Sequence, residues 1–254
     1  WPKAFRLHRL PLFLEGFVHQ MRIEQDPLVA RELFNKIRAS ELFDRKLKMY
    51  KVNACIDSES EMIGRSRIFP RGWLENESIW LHMEYKYLLE LLRCGLYTEF
   101  YEAMKDAMIP FLKPEVYGRS ILESSSFLVS SAHTDPSLHG RGFVARLSGN
   151  TAEFLQMWLW MNVGMNPFTV NRRGQLGLQL DPILSKEMFT RQAQTAARLN
   201  RDGQWETVEV PKGCYAFHFM GPTLVMYHNP NAKDLFPDGD YRIEKIVLTY
   251  PDGK

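Results

Sequence analysis

The sequence predicts a mixed α and β protein, in which a helical part precedes an antiparallel β-sandwich. Over residues 1–166, apolar residues recur three and four positions apart, which is the spacing of one helix face. After Pro167, the chain changes to short runs rich in β-branched and aromatic residues, with turn residues between them. We therefore expect a helical part at residues 1–166 and a β-sandwich domain at residues 167–254.

Four segments carry the helical pattern most strongly: residues 27–39, 79–93, 97–112 and 151–165. Asp26 stands before Pro27, and proline suits the first turn of a helix. Gly95 fits the left-handed position that ends the second helix, and Pro110 closes the third.

The strand pattern is found in six later segments: residues 168–171, 176–180, 205–210, 215–220, 223–228 and 241–250. Gly174, Gly203, Gly213 and Gly221 lie between consecutive runs, as tight antiparallel turns require.

Composition excludes several classes of partner. The chain has 254 residues and is 45% hydrophobic, which allows a large core. Lysine and arginine number 32 against 30 acidic residues, so the net charge is only +2 and no basic stripe indicates a nucleic-acid partner. No run approaches the roughly 20 apolar residues of a membrane span.

The remaining composition favours a cytoplasmic protein. Cys55, Cys94 and Cys214 are far apart and odd in number, which indicates neither a disulfide framework nor a metal site. The amino end lacks the apolar core of a signal peptide. Because the chain starts at Trp1 rather than at methionine, we expect it to begin inside a longer polypeptide.

Two long segments without a clear helical or strand pattern, residues 51–73 and 117–148, are where function is expected. At the end of the first, Trp73, Glu75 and Glu77 lead into a helix. Aromatic faces cover the apolar face of a sugar ring and carboxylates accept hydroxyl protons, so this loop is a candidate sugar site. The alternative is that Asn76 or Ser78 simply caps the helix.

A second candidate site combines His82 with residues 139–153. His82 lies in the first turn of its helix, where an anion is favoured, although a packed structural histidine is the alternative. Ser148 and Gly149 stand just before the helix of residues 151–165, where the backbone can approach an oxyanion. Arg141 could add a charge-assisted contact, and the alternative is an ordinary surface arginine.

In their order along the chain, these segments resemble the cellobiose phosphorylase family, glycoside hydrolase family 94, and the related oligoglucan phosphorylases. The stretch Ser78-Ile79-Trp80-Leu81-His82 is similar to the family's Ser-Ile-Phe-Asn-His, and Leu147-Ser148-Gly149-Asn150-Thr151-Ala152 to its Leu-Thr-Gly-Thr-Ala. Glu123 stands where the family has Glu-Pro-Tyr, without the proline and tyrosine. These departures indicate a divergent subgroup.

The resemblance implies the last helices of an (α/α)6 barrel and cleavage of a β-glucoside by inorganic phosphate with inversion. It implies that His82, Ser148 and Gly149 bind phosphate, with Arg141 as a further candidate. The loop from Trp73 to Glu77, together with Glu123, would contact a β-linked gluco-oligosaccharide. The catalytic acid of the family is an aspartate upstream of the matched stretch, so we expect this chain alone to be inactive.

No cofactor or metal is expected beyond phosphate as co-substrate, and the expected partners are the sugar, the rest of the polypeptide and a second copy in a homodimer. Two alternatives remain. An inverting hydrolase on the same scaffold would need a second carboxylate to activate water, for which Glu75, Glu77 and Glu123 are candidates. A non-catalytic carbohydrate-binding module would instead bind sugar through residues 167–254.

Overall fold

The computed structural model describes residue 1, residues 3–145 and residues 150–249. Within these residues, the protein is mixed α and β, as predicted, with helices and several small antiparallel sheets. The chain divides into two compact units, Trp1–Met157 and Trp158–Lys254, and the predicted boundary between residues 166 and 167 stays a prediction. None of the described helices has the length and apolar character to cross a membrane.

The described α-helices are α1 (Leu14–Ile23), α2 (Pro27–Ala39), α3 (Leu81–Arg93), α4 (Tyr97–Ala107), α5 (Pro114–Tyr117) and α6 (Asn150–Val163). The bounds of α2 match the prediction, and the Asp26 side chain accepts a hydrogen bond of 2.9 Å from the Leu28 N–H. Helix α4 ends five residues early, because Pro110 lacks an N–H and a 3₁₀ turn, Ile109–Phe111, takes over. Gly95 has a φ of 76°, as its predicted cap position requires.

Helix α3 begins two residues later than predicted, because Ile79 and Trp80 form a strand. The expectation that Asn76 or Ser78 caps this helix is wrong. Trp80 occupies the cap position, and its side chain makes no capping hydrogen bond. The Asn76 amide instead donates to Asp57 at 2.8 Å, and the Ser78 hydroxyl donates to the Leu74 carbonyl.

The predicted loop of residues 117–148 contains two strands of a three-stranded antiparallel sheet. The strands of the first unit are β1 (Phe43–Asp44), β2 (Met49–Tyr50), β3 (Ile79–Trp80), β4 (Ser125–Leu128) and β5 (Gly142–Ala145). β1 pairs with β2, and β4 lies between β3 and β5. The sequence of this region carried no run long enough to predict these strands.

The β4–β5 pairing leaves no room for a side chain at Gly142. A Cβ atom there would overlap the Ser125 hydroxyl and the Tyr117 ring. The buried Tyr117 hydroxyl donates to the Glu123 carbonyl at 2.6 Å and accepts a hydrogen bond of 3.0 Å from the Ser125 N–H. Tyr117 therefore fixes the start of β4 against the end of α5.

The core of the first unit is built around α3, which packs against α1, α4 and β4. Ten of its 13 residues are buried, among them Tyr85, Tyr87, Leu88 and Leu91. Each buried leucine or aromatic side chain stabilises the fold by about 1.5–3 kcal/mol relative to exposure. A helix that is apolar on most of its surface is expected at the centre of a domain.

Two carboxyl groups, those of Glu84 and Glu90, are buried on this helix, and Arg22 and Arg93 pair with Glu90. Glu84 has no such cation in the part of the chain that the structure describes. Glu84 is fully buried, and the Tyr50 N–H donates to its Oε2 at 2.8 Å, while its Oε1 has no partner among the described residues. Burial, together with the charge of Asp44, raises the pKa of Glu84 to about 8. The carboxyl group is therefore neutral at pH 7, which removes the cost of burying its charge.

In the second unit, the strands pair as three antiparallel hairpins, β6–β7, β8–β9 and β10–β11. They are β6 (Phe168–Val170), β7 (Leu176–Leu178), β8 (Gln194–Leu199), β9 (Trp205–Val210), β10 (Cys214–Phe219) and β11 (Thr223–His228). The bounds of β9 and β11 match the prediction, and β8 was not predicted. The predicted strand at residues 241–250 is wrong over residues 241–249, which form no described strand.

Glu84→Gln should change how stability depends on pH. Between about pH 4.5 and pH 8, the folded protein holds the Glu84 proton that the unfolded chain has released, so its stability falls as pH rises by up to about 1.4 kcal/mol per pH unit. Gln has no proton to release, so the advantage of the variant should grow with pH over this window. Urea unfolding at several pH values measures it. Glu102→Gln, at an exposed carboxylate, is the control, and parallel stability curves for wild type and Glu84→Gln would contradict the expectation.

Candidate functional site

The loop of residues 72–78 that precedes β3 and α3 has an uncommon backbone. Gly72, Leu74 and Glu77 have positive φ angles of 78°, 46° and 61°. This conformation costs a non-glycine residue roughly 1–2 kcal/mol, so Leu74 and Glu77 need other interactions to hold it. The Gly72 N–H donates to the Asn76 carbonyl at 2.8 Å, and the Asn76 N–H donates to the Trp73 carbonyl at 3.1 Å. These bonds close the loop into a tight turn.

The Glu77 carboxylate holds this loop in place through contacts with two basic side chains. It is 1% exposed, lies 2.6 Å from Lys51 Nζ, and accepts two hydrogen bonds from the Arg71 guanidinium. Burial raises the pKa of Glu77, but the hydrogen bonds from Arg71 and Lys51 outweigh burial and hold it below its ordinary 4.5. The carboxylate is charged and fully occupied, which favours a positioning role over the predicted contact with a sugar.

Glu75 differs from Glu77 in having an acceptor left. Its side chain is 28% exposed, and Arg65 donates to Oε1 at 3.0 Å. The second oxygen, Oε2, is buried and has no hydrogen-bond partner in the part of the chain that the structure describes. Among the predicted sugar ligands in this loop, Glu75 therefore has the free lone pairs that a hydroxyl group needs.

A row of aromatic side chains crosses the three-stranded sheet beside this loop. Trp80 pairs with Phe127 across β3 and β4, and Phe127 pairs with Phe143 across β4 and β5, so all three rings lie on one face. The ring of Phe127 stacks on Trp80 at 5.9 Å and on Phe143 at 5.8 Å. Trp73 contacts Phe143 at 4.7 Å and Phe127 at 5.3 Å. We call these four residues the aromatic row.

The aromatic row combines packing with partial exposure. Phe127 is buried, whereas Trp73, Trp80 and Phe143 are half-buried. The Trp80 indole donates to the Leu74 carbonyl at 2.9 Å, which ties the row to the loop. Sequence reasoning selected Trp73 alone. The register of β3, β4 and β5, which the sequence did not predict, adds the other three residues.

His82 lies at the end of this row, in the first turn of α3. It is half-buried, and its ring centroid lies 6.4 Å from that of Trp80. Burial and the positive charge of Lys86 lower the pKa of His82 below its ordinary 6.5, while Glu153 and Glu15 oppose them. The imidazole is therefore neutral at pH 7 and can donate one hydrogen bond and accept another.

The first turn of α6 adjoins α3 at this place. The rings of Tyr85 on α3 and Phe154 on α6 lie 6.4 Å apart, and one carboxylate oxygen of Glu153 is buried without a partner. The Asn150 amide donates to the Ser124 hydroxyl at 2.6 Å. The start of α6 is thus held between α3 and the segment before β4.

Ser148 and Gly149, the predicted phosphate ligands before α6, lie outside the described residues, so their role stays a prediction. Glu123, next to Ser124, is half-exposed and pairs with Arg119 at 3.2 Å. Arg141 is exposed, and its Nε donates to the Ser137 carbonyl at 3.0 Å. No described contact joins Arg141 to His82 or to the aromatic row.

No protein-family model matches the sequence, and no curated protein matches it. The function is therefore inferred from the residues and their geometry. Within residues 3–145 and 150–249, no group of three or more His, Cys, Asp or Glu side chains is placed to hold a metal ion.

The pKa of His82 should lie below 6.5, and Lys86→Met should raise it. The variant removes the positive charge that disfavours protonation and frees Glu15, whose carboxylate lies 3.0 Å from Lys86 Nζ. An NMR titration of the imidazole measures the change. Lys48→Met removes an exposed lysine that lies beside Asp106, and it should leave the pKa of His82 unchanged. A pKa of 6.5 or above in the wild type, or no response to Lys86→Met, would refute this account.

Proposed function

We propose that this chain is the C-terminal part of an inverting glycoside phosphorylase, which cleaves β-linked gluco-oligosaccharides with inorganic phosphate and releases a sugar 1-phosphate. The proposal includes the fold that the resemblance implies, the last helices of an (α/α)6 barrel followed by a β-sandwich, and a cytoplasmic location. One observation carries it: α3 and α6 approach each other near the end of the aromatic row, where the rings of Tyr85 and Phe154 lie 6.4 Å apart and the charge of Glu153 acts on His82. The start of α3, which can bind an anion, then lies next to the aromatic row, which can bind a sugar.

The sugar side of the proposal is supported by the aromatic row and Glu75. A half-buried indole such as Trp73 offers an apolar face to the C–H groups of a pyranose. The Glu75 side chain is 28% exposed, and a rotation of its carboxylate that brings the unpaired Oε2 to the surface lets it accept a hydroxyl proton beside the indole. Together they supply the apolar surface and the few polar groups that fix a sugar in one orientation.

The phosphate side is supported by His82 and by the position of α6. A neutral imidazole donates its N–H to a phosphate oxygen without needing a proton from solvent. The start of a 14-residue helix adds backbone N–H groups and the positive end of the helix dipole. In the sequence, Ser148 and Gly149 directly precede this helix, and we propose them as the remaining phosphate ligands.

In the proposed reaction, a phosphate oxygen attacks the anomeric carbon while the bond to the leaving sugar oxygen breaks. A general acid protonates that oxygen, and the configuration inverts. Phosphate replaces the water and the general base of a hydrolase, so only one catalytic carboxyl is needed. The resemblance assigns this acid to an aspartate upstream of the present chain.

Activity of the full-length polypeptide tests the reaction class. With cellobiose or longer β-glucans, we expect release of glucose 1-phosphate that requires inorganic phosphate. Release of free reducing sugar at the same rate without phosphate would reject phosphorolysis and favour the inverting hydrolase, with Glu75 or Glu123 as its base. Glu75→Gln and Glu123→Gln would then identify that base.

His82→Ala should weaken phosphate use specifically. Loss of one hydrogen bond to a charged group costs about 1.5–3 kcal/mol, so the KM for phosphate should rise about 10- to 100-fold while the KM for sugar changes little. His82→Gln retains an N–H donor and should recover part of the loss. His19→Ala, at an exposed histidine of α1, is the control. An unchanged KM for phosphate in His82→Ala would remove this role.

Trp73→Ala should weaken sugar binding instead. Loss of a stacked indole face should raise the KM for the oligosaccharide about tenfold, with the KM for phosphate nearly unchanged. Steady-state kinetics with each substrate varied in turn separates the two effects. Trp205→Ala, at a largely exposed tryptophan of the second unit, should behave as wild type. Equal changes in both KM values would show that Trp73 acts only through folding of the loop.

A further inference from the structure

A second polar site lies on the Lys51 and Arg71 side of Glu77. It is a cleft of about 560 Å³, which falls within the roughly 300–1,000 Å³ of small-molecule pockets. Four basic side chains line it, and we call it the basic cleft: Arg45, Lys46, Lys51 and Arg71. The half-buried ring of Phe43 contributes an apolar wall.

Three of these cations are held in place by the protein. Lys51 and Arg71 both bind the Glu77 carboxylate. Lys46 Nζ lies 2.6 Å from His139 Nδ1, and His139 Nε2 lies 2.8 Å from the His133 carbonyl. The carbonyl can only accept, so Nε2 carries the proton and Nδ1 accepts from Lys46. A fixed cation loses little entropy when an anion binds.

The carboxylates near the cleft do not neutralise all of this charge. Asp44 is buried, and its oxygens accept from the backbone N–H groups of Lys46, Leu47 and Ser131 and from the Ser131 hydroxyl. Glu77 is enclosed by Lys51 and Arg71. The remaining lining carboxylate, Glu41, is exposed. The described ion pairs give Arg45 and Lys46 no carboxylate partner.

We infer that the basic cleft binds a phosphorylated monosaccharide. Lys46, which is held by His139, and Arg45 have no described carboxylate partner, so they suit a phosphate dianion. The cleft volume together with the Phe43 ring suits an attached sugar ring. This site is separate from the proposed phosphate position at His82, and its existence does not depend on phosphorolysis.

The basic cleft is also linked to the candidate sugar loop. Arg71 and Lys51 bind Glu77, which holds the loop of residues 72–78 in its positive-φ conformation. This loop carries Trp73. A phosphate group in the cleft competes with Glu77 for these two cations. Binding there therefore changes the support of the loop that carries Trp73.

Isothermal titration calorimetry on the full-length protein tests this inference, with His82→Ala as the background so that the proposed catalytic phosphate site is weakened. Glucose 6-phosphate should bind saturably, inorganic phosphate more weakly, and glucose not at all. The double variant Arg45→Glu and Lys46→Glu should weaken glucose 6-phosphate binding about tenfold or more, because two charge-assisted contacts are lost. Lys113→Glu, an equal type of change at an exposed lysine outside the cleft, should leave binding unchanged.

Three outcomes would overturn the inference: no saturable binding of glucose 6-phosphate, binding that survives the double variant, or equal weakening by Lys113→Glu. Inorganic phosphate binding as tightly as glucose 6-phosphate would reject the sugar part of the assignment. Thermal unfolding of each variant verifies that the exposed substitutions leave the fold intact. None of these measurements uses turnover, so their failure differs from failure of the proposed phosphorylase activity.

Discussion

The buried contact of Glu77 with Lys51 and Arg71 holds together the features on which the site depends. Taking a carboxylate out of water costs several kcal/mol, which only close and well-oriented cations offset. This interaction stabilises the loop of residues 72–78, in which the non-glycine residues Leu74 and Glu77 have positive φ angles. The Leu74 carbonyl of this loop in turn accepts a hydrogen bond from the Trp80 indole. Removing either cation would leave a buried charge only partly paired, and the turn, the indole and the start of α3 would lose their common support.

The fold was predictable where the signal is local. Helix α2 carries its own cap at Asp26 and its own apolar stripe, so its limits could be found in the sequence. Strand β9 lies between Gly203 and Gly213, and β11 lies between Gly221 and Pro230, so turn residues mark their limits. Strands β3 to β5 have two to four residues each, and β3 pairs with β4 across about 50 residues of chain, so this sheet exists only because the folded chain brings its strands together. Strand β8, with two adjacent alanines, likewise depends on its partner β9 rather than on β propensity.

In the candidate site, too, local features could be predicted from the sequence and long-range contacts could not. Trp73 and His82 stand out because an aromatic and acidic loop leads directly into a helix, a pattern within ten residues. The contact of Glu77 with Lys51 could not be predicted from the sequence, because the two residues are 26 positions apart and only the folded chain makes them neighbours. The aromatic row needs a register, and a slip of one residue would send Phe127 to the opposite face of the sheet.

Gly142 sets how closely β5 can approach β4. Tyr117 and Ser125 occupy the space that even an alanine methyl group would need. A side chain at this position would therefore push β5 away from β4, and the ring of Phe143 would lose its contact with Phe127.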